Sequence, residues 1–170
     1  YPLRRQRQMC IRDSVNITMC KAKANGNYIN SMLALREALD SGCEEALMLD
    51  NEGYVAEGSG ENVFLVQKGK LVTPELTSCL EGITRDTVFA LAAELNIEVV
   101  EKRITRDEVY IADEAFFTGT AAEVLPIREL DGRTIGSGKR GPITEKLQSM
   151  YFDQVLGKRE ENPQWSTTIN

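Results

Sequence analysis

Between residues 46 and 74 the chain reads ALMLDNEGYVAEGSGENVFLVQKGKLVTP, and this stretch leaves few choices of fold. Its short apolar runs are broken by turn signals at Asn51-Glu52-Gly53 and Lys68-Gly69. Runs of that length between turn formers read as strands joined by tight connections. The stretch is expected to form an antiparallel meander of three or four strands.

Helical periodicity flanks it on both sides. Over 27–40, Ile29, Met32, Leu33, Arg36 and Leu39 recur at helical spacing, with Gly42 placed to end the helix. After Gly82, the residues Val88, Leu91, Ala92 and Leu95 share one side; Thr84 is the N-cap candidate and Asn96 marks the end. A strand IEVVEKRIT follows, then a short helix over 106–112, strands at EAFFTG and EVLPIREL, an Asp131-Gly132 turn and a last helix from Pro142 to about 156. The order is mixed α/β, in a length typical of one domain. There is no internal repeat, and the segment from Lys158 onward reads as a frayed tail.

The first residues, YPLRRQRQMCIRDS, show neither periodicity nor the apolar core of a signal peptide. The run from Arg4 to Asp13 can be written back as CGT CGG CAG CGT CAG ATG TGT ATA AGA GAC, which resembles a transposase-type sequencing adapter read as coding sequence. Residues 1–14 are therefore expected to be non-native and are set aside, leaving 15–157 as the domain and 158–170 as its tail. Removing four arginines and one aspartate from 20 basic and 26 acidic residues leaves 16 against 25, a net charge of −9. So acidic a domain repels a phosphate backbone, and no nucleic-acid partner is expected. No transmembrane run or acyl-anchor motif occurs, so no membrane partner is expected either. Once Cys10 is set aside, Cys20, Cys43 and Cys79 remain, an odd set without CxxC spacing. That points to a reducing, cytoplasmic location.

The chain contains no histidine. Ser-His-Asp and Cys-His catalysis and the His-based zinc motifs are thereby removed, and no metal is expected. Chemistry has to run on lysine, tyrosine, carboxylates or a cofactor. Lys21 and Lys23 stand just upstream of a glycine-containing loop in MCKAKANGNYINS; a lysine there is either solvated surface charge or, if desolvated, an amine able to form a Schiff base. AEGSGEN places carboxylates at Glu57 and Glu61 around two glycines but lacks the spacing of a nucleotide loop. EGITRDTV puts Gly82 before a helix whose first turn presents Ile83 and Thr84, which suits either a phosphate or a plain cap. FFTGTAAEV sets Gly119, Thr120, Ala121 and Ala122 between two strands, which suits either an anion or a tight hairpin.

Taken in order, KANGNY, EGSGENVF, GITRD, ADEAFFTGTAAEVLPIRELDG and GPIT resemble successive signatures of the class IV pyridoxal-phosphate aminotransferases, most closely the bacterial branched-chain amino-acid aminotransferases. The resemblance covers 17–157. It implies the C-terminal domain of the fold type IV, D-amino-acid aminotransferase-like fold, with pyridoxal 5′-phosphate held through Lys23. By the same resemblance Glu57 faces the pyridine nitrogen, Tyr28 binds the ring's phenolic oxygen, and Ile83, Thr84 and Thr120 hold the phosphate. Backbone N–H groups of Thr120 and Ala121 receive the substrate carboxylate, and Glu61 and Asn62 position the Glu57 loop. The implied reaction moves the amino group of leucine, isoleucine or valine to 2-oxoglutarate, giving glutamate, in a homodimer or larger homo-oligomer. Family members carry a further domain upstream of the lysine, and the chain reads as the C-terminal part of such an enzyme. That missing domain is where the resemblance puts an arginine for the cofactor phosphate, a tyrosine near the substrate carboxylate and much of the side-chain pocket. D-amino-acid aminotransferases and aminodeoxychorismate lyases share the fold, and a non-catalytic anion-binding module using the GITRD helix start is the reading of a different class. Visible absorbance separates a cofactor-bound enzyme from such a module.

Overall fold

The computed structural model describes residues 20–159 and 162–165. The adapter-like segment 1–14 lies outside them. Two short 3-10 turns, Cys20–Ala22 and Asn25–Asn27, lead into helix α1 (Tyr28–Asp40), which ends where Gly42 takes a φ of 80°. Strands β1 (Leu47–Leu49) and β2 (Val55–Gly58) form an antiparallel hairpin. Its turn is held by the Asp50 carboxylate, which accepts N–H bonds from Glu52 at 3.0 Å and Tyr54 at 2.9 Å.

The expected continuous meander is broken after β2. Gly58 N–H closes onto the Glu61 carbonyl at 2.6 Å, and that tight turn sends the chain into a second sheet. Strands β3 (Asn62–Gln67) and β4 (Lys70–Thr73) are joined through Lys68 and Gly69, both at positive φ as the two-residue turn requires. Helix α2 (Ile83–Glu94) then crosses to β5 (Val99–Glu101), which pairs parallel to β4. Helix α3 (Arg106–Tyr110) opens on a capping box between Thr105 and Glu108. Strands β6 (Glu114–Gly119) and β7 (Glu123–Ile127) complete a five-stranded sheet of order β5-β4-β3-β6-β7. A small hairpin, β8 (Glu129–Leu130) and β9 (Arg133–Thr134), precedes helix α4 (Pro142–Val155). The expected strand EVLPIREL is thus two strands, and IEVVEKRIT contributes three residues.

Alternation along β3 explains the layers. Val63 and Leu65 pack with Val72, Ala115 and Phe117 under the β1–β2 hairpin and Val109 of α3. Phe64 and Val66 pack the other way, with Leu71, Phe116, Val88 and Leu91 of α2 and Leu147 of α4. Phe64 and Phe116, opposite each other in the ladder, stack at 5.2 Å. The start of α4 is fastened to the sheet by Glu114, whose buried carboxylate accepts the N–H groups of Ile143 at 3.1 Å and Thr144 at 2.8 Å. Gly141 is required there, because a Cβ would lie 2.1 Å from Glu114 Cδ. The tail does not simply fray at its start: Arg159 and Asn162 both bond the Glu94 carboxylate at the end of α2.

Candidate active site

One cavity of about 570 Å³ opens where the lysine segment, the β2–β3 turn, the start of α2 and the β6–β7 turn converge. Lys23, Tyr28, Glu57, Glu61, Asn62, Ile83, Thr84 and Thr120 all border it, as does Lys21. Ala121 does not; it is exposed one residue further along the β6–β7 turn. Residues separated by up to about a hundred positions in sequence are therefore gathered by the fold into one concavity.

Lys23 sits between the two 3-10 turns with a φ of 49°, a left-handed conformation uncommon for a side chain of this size. It is exposed, and so is Lys21. The segment is tied to the opposite wall where Cys20 Sγ contacts the Cys79 carbonyl at 3.7 Å. Tyr28 is the first residue of α1 and is half-buried.

Glu57 projects from β2 and is paired across the hairpin with Met48. Burial, together with the neighbouring Glu61 charge, pushes its carboxyl up to about 7, against the opposing pull of the Leu80 N–H that it accepts at 3.0 Å. Among the described residues Glu57 forms no ion pair. Such a carboxyl is poised to ionise against a cation brought from outside, and a protonated ring nitrogen is one.

The Leu80 peptide is gripped from both sides. Its N–H goes to Glu57 and its carbonyl accepts from Asn62 Nδ2 at 2.7 Å. Asn62 Oδ1 then presses on Gly82, where a Cβ would sit 2.3 Å away. The roles implied for Asn62 and Glu61 therefore separate. Asn62 holds the loop that leads into α2, whereas Glu61 closes its own turn by accepting the Gly60 N–H at 3.0 Å. Burial and the nearby Glu45 charge raise the Glu61 carboxyl, the Gly60 N–H opposing. Glu45, unnoticed in the sequence because it lies outside every motif, accepts the Ser59 N–H at 3.3 Å and steadies the same turn.

Gly82, not Thr84, is the N-cap of α2, and it supplies no side-chain cap bond. Thr84 is the second helical residue, buried and facing the cavity. The first-turn N–H groups are thus left for an anion entering the cavity, at the positive end of a helix of 12 residues. A buried acid awaiting a cation and an uncapped helix start sharing one cavity fit a pyridinium ring bearing a phosphate. The sequence missed Thr118 as well; it borders the cavity from inside β6, where nothing in the apolar pattern marks it.

Comparison with known proteins places this geometry in context. Residues 4–130 match the model of the family described as amino-transferase class IV, the match beginning inside the segment set aside on codon grounds. A branched-chain-amino-acid aminotransferase of Pseudomonas aeruginosa PAO1 is 66% identical over 158 residues, covering 93% of this chain and 52% of that protein. The crystal structure of the branched-chain amino acid aminotransferase from Thermobaculum terrenum in its PLP-form matches with a TM-score of 0.88 at 45% identity, over 93% of this chain and 53% of that one. The branched-chain amino acid aminotransferase from Escherichia coli matches with a TM-score of 0.85 at 43% identity, over 90% and 54%. The chain spans about half the length of the relatives it matches.

Proposed function

We propose that this chain, which belongs to the amino-transferase class IV family, is the cofactor-binding domain of a branched-chain amino-acid aminotransferase that uses pyridoxal 5′-phosphate. The observation that carries the reading is the shared cavity: the lysine, the buried acid raised to about 7 and the uncapped helix start all border it. The relatives' names supply the substrate class, and the PLP-form of the Thermobaculum terrenum structure supplies the cofactor.

Each residue then has a task. Lys23 Nζ anchors the cofactor covalently and, once released, takes the proton from the substrate Cα at short range. Glu57, ionised, holds the ring nitrogen in its protonated form, and Tyr28 donates to the phenolic oxygen. The N–H groups at Ile83 and Thr84, with the hydroxyls of Thr84 and Thr120, hold the phosphate. The N–H groups of Thr120 and Ala121 receive the substrate carboxylate, while Asn62 and Glu61 keep the α2 loop and the Glu57 turn in place. When bound, the cofactor supplies the carbonyl that takes up the amino group and a ring that accepts electrons from Cα. 2-Oxoglutarate is the acceptor and glutamate the product. We place the enzyme in the cytoplasm, on its free cysteines Cys20, Cys43 and Cys79. We further place it in a homodimer or larger homo-oligomer, a reading supported by the exposed Ile29, Met32, Leu33 and Leu39 of α1. No helix among the described residues is long and apolar enough to cross a membrane.

Borohydride reduction of the chain in excess pyridoxal 5′-phosphate, followed by peptide mapping, tests the reading. The pyridoxyl adduct is expected on Lys23. Adduct on Lys21 would overturn the lysine assignment, and a colourless, unlabelled protein would overturn the cofactor.

A further inference from the structure

Three charged residues among those described are buried: Asp50, Arg85 and Glu114. Asp50 holds the β1–β2 turn and Glu114 fastens α4. Arg85 is the third residue of α2 and is 3% exposed, so its guanidinium needs close partners to offset the hydration it has lost. Its place is also adverse. A cation in the first turn of a helix sits at the positive end of the macrodipole, and this helix start has no side-chain cap. Asp86, the acid of the same turn, is exposed, where water and salt screen it.

The partners show what the side chain holds. Arg85 Nη2 donates to the Glu101 carboxylate at 2.6 Å and to the Pro74 carbonyl at 3.3 Å, and the guanidinium lies 4.6 Å from the centroid of the Phe89 ring. Pro74 directly follows β4, and Glu101 ends β5, where it pairs with Thr73. One cation thus ties the first turn of α2 to the ends of two adjacent strands and closes the base of the loop 74–82 that leads into the helix. None of Arg85, Pro74, Phe89 and Glu101 borders the cavity, whereas Ile83 and Thr84, the two residues before Arg85, do. The Leu80 peptide upstream is held separately, by Asn62 and Glu57. What loses its anchor without Arg85 is therefore the first turn itself, with the N–H groups that an anion in the cavity would meet.

We propose that Arg85 is a positioning residue for the cofactor phosphate: its ties to Pro74 and Glu101 fix the start of α2 so that the N–H groups of Ile83 and Thr84 meet a phosphoryl group that Arg85 itself does not touch. The inference rests on the cofactor reading above and deepens it. It also accounts for a cation buried at the positive end of a helix, since a bound phosphate brings negative charge to that same end.

The full chain is titrated by absorbance with pyridoxal 5′-phosphate and separately with pyridoxal, which has no phosphate. Arg85→Gln should lower affinity for pyridoxal 5′-phosphate by about tenfold, the order of one hydrogen bond to a charged acceptor, while affinity for pyridoxal stays within about twofold. Glu101→Gln removes one of the two ties at a side chain that is 44% exposed and outside the cavity, and it should show the same selective loss at about threefold. The double variant should bind pyridoxal 5′-phosphate within about twofold of Arg85→Gln alone, because both changes break one link. An arginine that only stabilised the fold would move both ligands alike. Equal losses with both ligands, no loss with either, or fully additive losses in the double variant would overturn the proposal. Should Arg85→Gln fail to fold, the ratio of the two affinities is read on Glu101→Gln, and an unchanged ratio overturns it equally. A wild-type chain that binds neither ligand would instead overturn the cofactor reading, and this inference with it.

Discussion

Glu57 stands between opposing pulls, and its titration can be read in the stability of the chain. Its carboxyl is raised from 4.5 to about 7 in the folded protein, mainly by burial. Between those values the folded chain holds a proton that the unfolded chain has released, so this group's contribution to stability is complete below pH 4.5 and is lost as pH rises toward 7. Glu57→Gln removes the titration, and stability measured by denaturant should then lose its downward slope in that window, a difference on the order of 3 kcal/mol by pH 8. A slope unchanged by the substitution would show that another group titrates there. Lys23 presents a different signature, because its φ of 49° is a cost carried at the site. Lys23→Gly should leave stability equal or higher by about 1 kcal/mol while abolishing the borohydride adduct, whereas Lys21→Ala should keep the adduct. Loss of fold in Lys23→Gly would contradict the claim that the lysine is there for chemistry. Both Lys23 and Glu57 are visible in the sequence only through motif resemblance. Nothing in composition separates Lys23 from Lys21, and the burial that raises Glu57 comes from residues distant in the chain.

Helix α2 shows what periodicity conveys and what it omits. Its apolar side and its end at Asn96 follow from spacing, and both are found: the helix closes at Glu94 with Asn96 at a φ of 55°. Its beginning does not follow, since Thr84 looks like a cap and is instead buried against the cavity. A helix start left for a ligand breaks the local rule that a cap should satisfy it. The same loop carries a prediction. Asn62→Ala removes the bond to the Leu80 carbonyl and should destabilise the chain by about 1–3 kcal/mol, measured by denaturant unfolding, and should also weaken pyridoxal 5′-phosphate binding. Gly82→Ala should weaken binding too, since the new methyl meets Asn62 Oδ1 at 2.3 Å. At the other end of the sheet, Glu114→Ala strips the cap from α4 and should cost about 1–2 kcal/mol without touching the cavity. Cofactor binding that fell with Glu114→Ala as much as with Asn62→Ala would show that the loop has no special hold on the site. Strand partners are the least legible feature. Turn residues predict neighbours in sequence, whereas the break after Gly58 and the pairing of β3 with β6 depend on contacts between segments far apart in the chain.

The assembled domain covers both faces of its sheet, yet leaves α1 with an apolar row in solvent: Ile29 is 58% and Met32 59% exposed. That row adjoins the lysine segment, and Ile29 and Leu33 also border the cavity. The cavity is therefore open along the side where its lysine stands, and the chain spans about half the length of the relatives it matches. We propose that the other half, as the family resemblance implies, brings an arginine for the cofactor phosphate, a tyrosine near the substrate carboxylate and much of the side-chain pocket. Joining this chain to the N-terminal half of the Pseudomonas aeruginosa relative and assaying amino transfer from leucine to 2-oxoglutarate tests the central claim most directly. The joined protein should form glutamate, the same protein carrying Lys23→Ala should form none, and this chain alone should show negligible rate. Turnover that survives Lys23→Ala, or a joined protein that transfers from D-alanine and not from leucine, would contradict it.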